Sequence, residues 1–133
     1  MKEIELSQYG NNIKIKAQIL PDKKMRKLGF TDYSKDRWCF LKSINFSKEK
    51  RYKGFDISLY VVINKLDSTN LKIDIIDEDF GHPYDYQMML KKNPKFEPCL
   101  IVKAQVEEWM KYLKDNSVLS GHEYGDYIWE RNN

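Results

Sequence analysis

Apolar residues alternate with polar ones through much of the first 75 positions, then recur every third or fourth position after Pro98. The first period belongs to strands and the second to a helix. Ile4 and Leu6, followed by Ile13, Ile15, Ala17 and Ile19, flank the turn-forming triplet Gly10-Asn11-Asn12 and predict a β-hairpin. Pro21-Asp22 ends its second strand. The segment 23–36 keeps no sustained period and reads as loop, or as one short helix around Lys24 to Leu28 closed by Gly29.

Trp38, Phe40, Lys42 and Ile44 alternate with Cys39, Leu41 and Ser43, which predicts a strand with both faces partly covered. After the polar stretch Ser47 to Gly54, the residues Phe55, Ile57, Leu59, Val61 and Ile63 form the clearest strand, whose other face carries Ser58, Tyr60 and Val62. Asp67-Ser68-Thr69-Asn70 is turn chemistry, and Leu71, Ile73 and Ile75 resume the alternation. Such short connections favour antiparallel pairing of neighbours.

The pattern breaks after Asp77, where prolines, Gly81 and the aromatic residues Phe80, Tyr84, Tyr86 and Phe96 gather. A short helix is predicted at roughly Asp85 to Lys92, with Asp85 as N-cap and Met88, Met89 and Leu90 turned inward. From Pro98 onward Val102, Val106, Trp109, Met110 and Leu113 make an apolar stripe, with Glu107 and Lys111 spaced for an ion pair on the polar side. Asn116 is the expected left-handed cap, after which Val118 and Leu119 fold back onto the stripe. Tyr124, Tyr127, Ile128 and Trp129 make the tail too apolar to remain in water, so it is expected to pack on the sheet, the helix or a partner. The fold class that follows is a single α+β domain over residues 1–133. Its antiparallel sheet has four or five strands, with a short helix and a long C-terminal helix packed on one face.

Composition narrows the class. Hydrophobic residues at 41% are too many for a disordered chain, and the longest apolar runs, Leu59 to Ile63 and Cys99 to Val102, are too short to cross a bilayer. Met1 to Gln8 lacks the charge and apolar pattern of a secretory leader, which makes a cytoplasmic location the expectation. Cys39 and Cys99 lie sixty positions apart, flanked by apolar residues, and are expected as reduced core thiols. Nineteen lysines against four arginines, with frequent Asn and Ile, fit an AT-rich bacterial or phage genome.

Candidate chemistry is sparse. Asp74, Asp77, Glu78 and Asp79 precede His82 and Asp85, but a calcium loop beginning at Asp77 would place Gly and Glu where His82 and Met88 stand. Asp79-Phe80-Gly81 matches the magnesium-binding triplet of protein kinases without any of their other motifs. Cys39, His82, Cys99 and His122 include no close cysteine pair, so neither a metal nor a cofactor is expected and no catalytic residue is assigned.

Charge is uneven along the chain. Pro21 to Gly54 holds eleven Lys and Arg against four acids, whereas Asp67 to the end holds eight against thirteen. Within the basic part, Lys48, Lys50, Arg51 and Lys53 surround Tyr52, a combination that could neutralise phosphates and stack a base. The competing reading is a solvated hairpin tip kept unpaired by lysine. The function expected is a non-enzymatic binding or accessory protein acting through a protein or small-ligand interface, of the immunity, inhibitor or mobile-element kind. Its candidate binding residues are Lys48, Lys50, Arg51, Tyr52, Lys53, Asp79, His82, Tyr84 and Asp85. The alternatives are a nucleic-acid-binding accessory protein using segment 23–53 and a small enzyme with a site around His82.

Overall fold

A computed structural model of the chain describes residues 15–46 and 56–120. The strand expected at Ile4 and Leu6, the basic stretch Lys48 to Lys53 and the apolar tail from Tyr124 lie outside those residues. Among them the elements are β1 (Lys16–Ala17), α1 (Asp22–Leu28), β2 (Thr31–Ser34), β3 (Arg37–Ser43), β4 (Ile57–Asn64), β5 (Leu71–Asp77), β6 (His82–Pro83), α2 (Tyr86–Lys92), α3 (Glu97–Asp115) and β7 (Leu119–Ser120).

The α+β architecture is as the periodicity predicts. Strands β2 to β6 form one antiparallel sheet in sequence order, and β1 pairs antiparallel with β7 in a separate ribbon. Register aligns Trp38, Ile63 and Leu71 across three strands, and likewise Phe40, Val61 and Ile73. These side chains therefore stand on one face, where they join Ile57, Leu59 and Ile75 in a core shared with Val102, Val106, Met110 and Leu113 of α3. Helix α1 adds Met25 and Leu28 to the same core, and the ribbon adds Ala17 and Leu119. Two polar fastenings fix α3 over the sheet. Gln105 bonds both backbone groups of Asn45, accepting from its N–H at 2.8 Å and donating to its carbonyl at 3.0 Å. The Tyr112 hydroxyl donates to the Leu28 carbonyl at 2.9 Å.

Helix α1 ends as the sequence implies, with Gly29 at φ 114° and Phe30 N–H returning to the Met25 carbonyl. Only glycine adopts that φ without strain, and an added β-carbon would also stand 3.2 Å from the Phe40 ring. Helix α3 ends in the same motif one residue later than expected. Asn116 takes φ −98° and ψ 13° while Ser117 takes φ 66°, and Val118 N–H reaches back to the Leu113 carbonyl at 3.0 Å. The Asn116 side chain is engaged elsewhere, donating to the Tyr112 carbonyl at 2.8 Å. Val118 and Leu119 do fold back into the core.

Other details differ from the sequence reading. Met88 and Met89 are exposed on α2, because the helix buries Tyr86 and rests Leu90 against the core instead. Trp109 is only partly buried: it flanks the stripe, with its ring 5.6 Å from Phe40 and the Lys42 ammonium 4.6 Å above it. Glu107 pairs with Lys103 at 3.5 Å, and Lys111 pairs with Asp115 at 2.8 Å. Strands β2 and β6 were not predicted, since four exposed residues and a two-residue strand carry no alternation to read.

Two stability predictions follow from this packing. Phe40 has no exposed surface and touches Phe30, Trp109 and Tyr112. Phe40→Ala should therefore cost about 3–5 kcal/mol in urea denaturation, and a loss below about 1 kcal/mol would contradict its central place. Ser117→Gly should raise stability by about 0.5–1 kcal/mol, because glycine relieves the left-handed strain at that position.

Candidate binding face

Alternation places a second set of side chains on the sheet face opposite the core. Register sets Arg37 beside Asn64, then Cys39, Val62 and Lys72 in a row, then Leu41, Tyr60 and Asp74, then Ser43, Ser58 and Ile76. Tyr33 of β2 stands at the side of this array. Each of the three helices contributes its buried residues to the core on the other face, so among the described residues no helix lies over this one. Tyr33 is 58% and Leu41 47% exposed, while Tyr60, Val62 and Ile76 are half-buried by their neighbours.

A shallow groove of about 290 Å³ runs along the face, lined by Tyr33, Arg37, Tyr60, Val62, Lys72, Asp74 and Ile76. At one end a recess of about 80 Å³ opens between Arg37, Val62, Asn64, Asn70 and Lys72. At the other end the Tyr60 hydroxyl donates to Glu78 Oε2 at 2.7 Å. That bond, followed by partial burial, pushes the Tyr60 pKa up to about 12.

The core side of the same strands carries fixed charges with structural duties. Asp32 accepts from Arg26 at 2.8 Å and from Lys65, and both cations stand over the Trp38 ring, at 5.0 and 4.4 Å. The hydrogen bonds from Lys65 and then Arg26 hold the Asp32 carboxyl below its ordinary value.

The candidate residues read from sequence fall in several places. Asp79 lies in the β5–β6 turn, where its N–H donates to Asp77 Oδ1 at 3.0 Å. His82 opens β6, stacks on the exposed Phe80 ring at 5.7 Å and places Nδ1 3.3 Å from the Pro83 carbonyl. Asp79 and His82 thus share one hairpin. Asp85 caps α2, accepting from Met88 N–H at 3.0 Å. Tyr84 points into the core, with its hydroxyl 3.4 Å from Cys99 Sγ. Lys48, Lys50, Arg51, Tyr52 and Lys53 lie outside the described residues.

Nucleophilic chemistry finds little support here. Cys39 and Cys99 are free and buried, and burial raises both thiol pKa values, only partly offset at Cys99 by the Tyr84 contact. The protonated thiol is a poor nucleophile and a poor metal ligand. Among the described residues no group of three or more His, Cys, Asp and Glu converges to hold a metal ion. What the outer face offers instead is contact area, with two tyrosines, three aliphatic side chains and cations at one end.

Tyr33, Arg37, Tyr60 and Lys72 were not singled out from the sequence. The usable signal was apolar and aromatic residues at the out-facing positions of β3 to β5, where a solvated sheet face is ordinarily polar. Comparison of the chain with protein-family models, curated proteins and solved structures finds no match, so the face is interpreted from its own geometry.

The tyrosine environment gives a test. Below pH 10 both folded and unfolded chains keep the Tyr60 proton, so its contribution is fully present. Between 10 and 12 the unfolded chain ionises first and stability falls. Tyr60→Phe should remove part of that alkaline loss in urea denaturations run from pH 9 to 12. An unchanged pH profile would show that the Glu78 bond does not hold the proton.

Proposed function

We propose that the protein is a non-enzymatic binding module that engages a partner protein through the outer face of its sheet. The observation that carries this reading is the cluster of tyrosine and aliphatic side chains set among the polar residues of that face. Antiparallel sheets with one solvated side ordinarily present polar residues there, whereas this one presents Tyr33, Leu41, Tyr60, Val62 and Ile76. Tyrosine is the residue type that most often anchors protein interfaces together with Trp and Arg, since its ring buries area while its hydroxyl finds a partner.

Size favours a protein over a small ligand. Small-molecule sites are concave and cover most of the ligand, whereas this groove is shallow and open. Strand addition at the sheet edges is disfavoured, because β2 is short with a register shift between Asp32 and Ser34, and β6 ends in Pro83. Among the described residues the face is the surface best suited to docking. A module of this kind acts by occupying its partner's surface, as inhibitors and immunity factors do, and its two reduced thiols suit a cytoplasmic setting.

The test compares partner binding by the unmodified protein, a Tyr33→Ser/Leu41→Ser variant and a Glu108→Gln control on the exposed side of α3. Because both face residues are exposed, thermal stability should stay close to that of the parent. Affinity for the captured partner should fall at least about tenfold for the face variant only. Equal affinity for all three proteins would refute the reading.

A further inference from the structure

We infer that the recess between Arg37 and Lys72 is an anchor for a single carboxylate side chain of the partner, inserted beside apolar residues that cover the groove. This inference rests on the outer face being the docking surface and adds what the partner must carry.

Three observations converge on it. Arg37 stands opposite Asn64 and Lys72 opposite Val62, from the two strands beside β4, and both line the recess and the larger groove. Neither makes an ion pair among the described residues, although Arg26, Lys65, Lys103 and Lys111 all do. The third lining group, Asn64, has its carboxamide oxygen occupied by the N–H groups of Leu66 at 2.8 Å and Asp67 at 3.1 Å. Its NH₂ is therefore the end left to bind. The Asn70 carboxamide, which also lines the recess, can turn its own NH₂ inward, so two cations and two amides can all present N–H donors there, and such a site selects an acceptor with negative charge.

Size and surrounding charge decide which anion. A recess of about 80 Å³ admits one carboxylate or one comparable group. The groove leading away from it passes Asp74, and Glu78 lies at its far end. Successive phosphates of a nucleic acid laid along this groove would meet the Glu78 carboxylate and be repelled. A peptide carrying one acidic residue, followed by apolar ones, meets cations first and then Tyr33, Tyr60, Val62 and Ile76. The charge gradient of the face fits an acidic protein segment.

The experiment uses amide chemical-shift mapping on the full chain with three probes. These are a blocked pentapeptide with a central glutamate among leucines, the same peptide with glutamine, and an oligothymidylate. The glutamate peptide should shift the amides of Arg37, Asn64, Asn70 and Lys72. Its affinity should exceed that of the glutamine peptide about tenfold, and Arg37→Gln should remove most of that difference. Equal binding of both peptides on Tyr33, Leu41 and Tyr60 would overturn the carboxylate anchor while leaving the docking face standing. Absence of shifts from the glutamate peptide at millimolar concentration would overturn the anchor as well. So would tighter binding of the oligothymidylate at the same four residues, because the anion would then be phosphate. The peptide comparison needs no variant, so misfolding of Arg37→Gln cannot obscure the outcome.

Discussion

Ile57, Leu59, Val61 and Ile63 occupy alternate positions of the central strand and have no contact with water, because α3 and the elements beside it cover that face of the sheet. Full burial of such a side chain is worth roughly 1.5–3 kcal/mol, so the four together approach the whole net stability of an ordinary domain, about 5–15 kcal/mol. The cover cannot be given up. Everything that fixes α3 in place serves it: the Gln105 clasp on Asn45, the Tyr112 bond to Leu28, and the return of Val118 to Leu113 that folds the chain back into the core. Because the helices are committed to one face, among the described residues the other is left to the strands' own side chains.

The border of the core is built from rings and cations. Lys42 stands on the core side of β3, and its ammonium lies 5.2 Å from the Phe40 ring and 4.6 Å from Trp109. Trp38 is treated alike by Arg26 and Lys65, which Asp32 holds together. Such ring contacts let a long cationic side chain cover aromatic surface without burying an unpaired charge. Arg26 and Asp32 are substantially exposed, so their pairing positions side chains more than it adds stability. These cations have duties in the fold, which sets apart Arg37 and Lys72 on the opposite face.

Periodicity made most of the architecture legible. The alternation in β3, β4 and β5 and the helical stripe of α3 were readable because burial on one side demands them, and Gly29 and Asp85 were readable because backbone geometry and capping demand particular residues. Strand β2 was not, since its four exposed residues owe their strand to hydrogen bonds from β3 rather than to burial. Ser117 takes the left-handed conformation that composition assigns to Asn116, while the Asn116 side chain donates to the Tyr112 carbonyl. Of the candidate site, the pattern exposed the out-facing Tyr60 and Val62. That Arg37 and Lys72 line one recess from either side of β4 depends on register, and register is a property of the assembled sheet. Conversely, Tyr84 and Asp85, attractive as neighbours of His82 in sequence, turn inward and to a helix cap respectively.

The claim on which the account rests is that the sheet has one covered face and one open face in the free protein. Methyl relaxation in the presence of a soluble paramagnetic agent measures this directly, because the agent reaches only methyl groups in contact with water. Leu41, Val62 and Ile76 should relax strongly, while Val61, Ile73 and Ile75, one position along the same strands or on the adjoining one, should be spared. Equal protection of both sets would show that the outer face is already occupied in the free chain and would contradict its role as a docking surface.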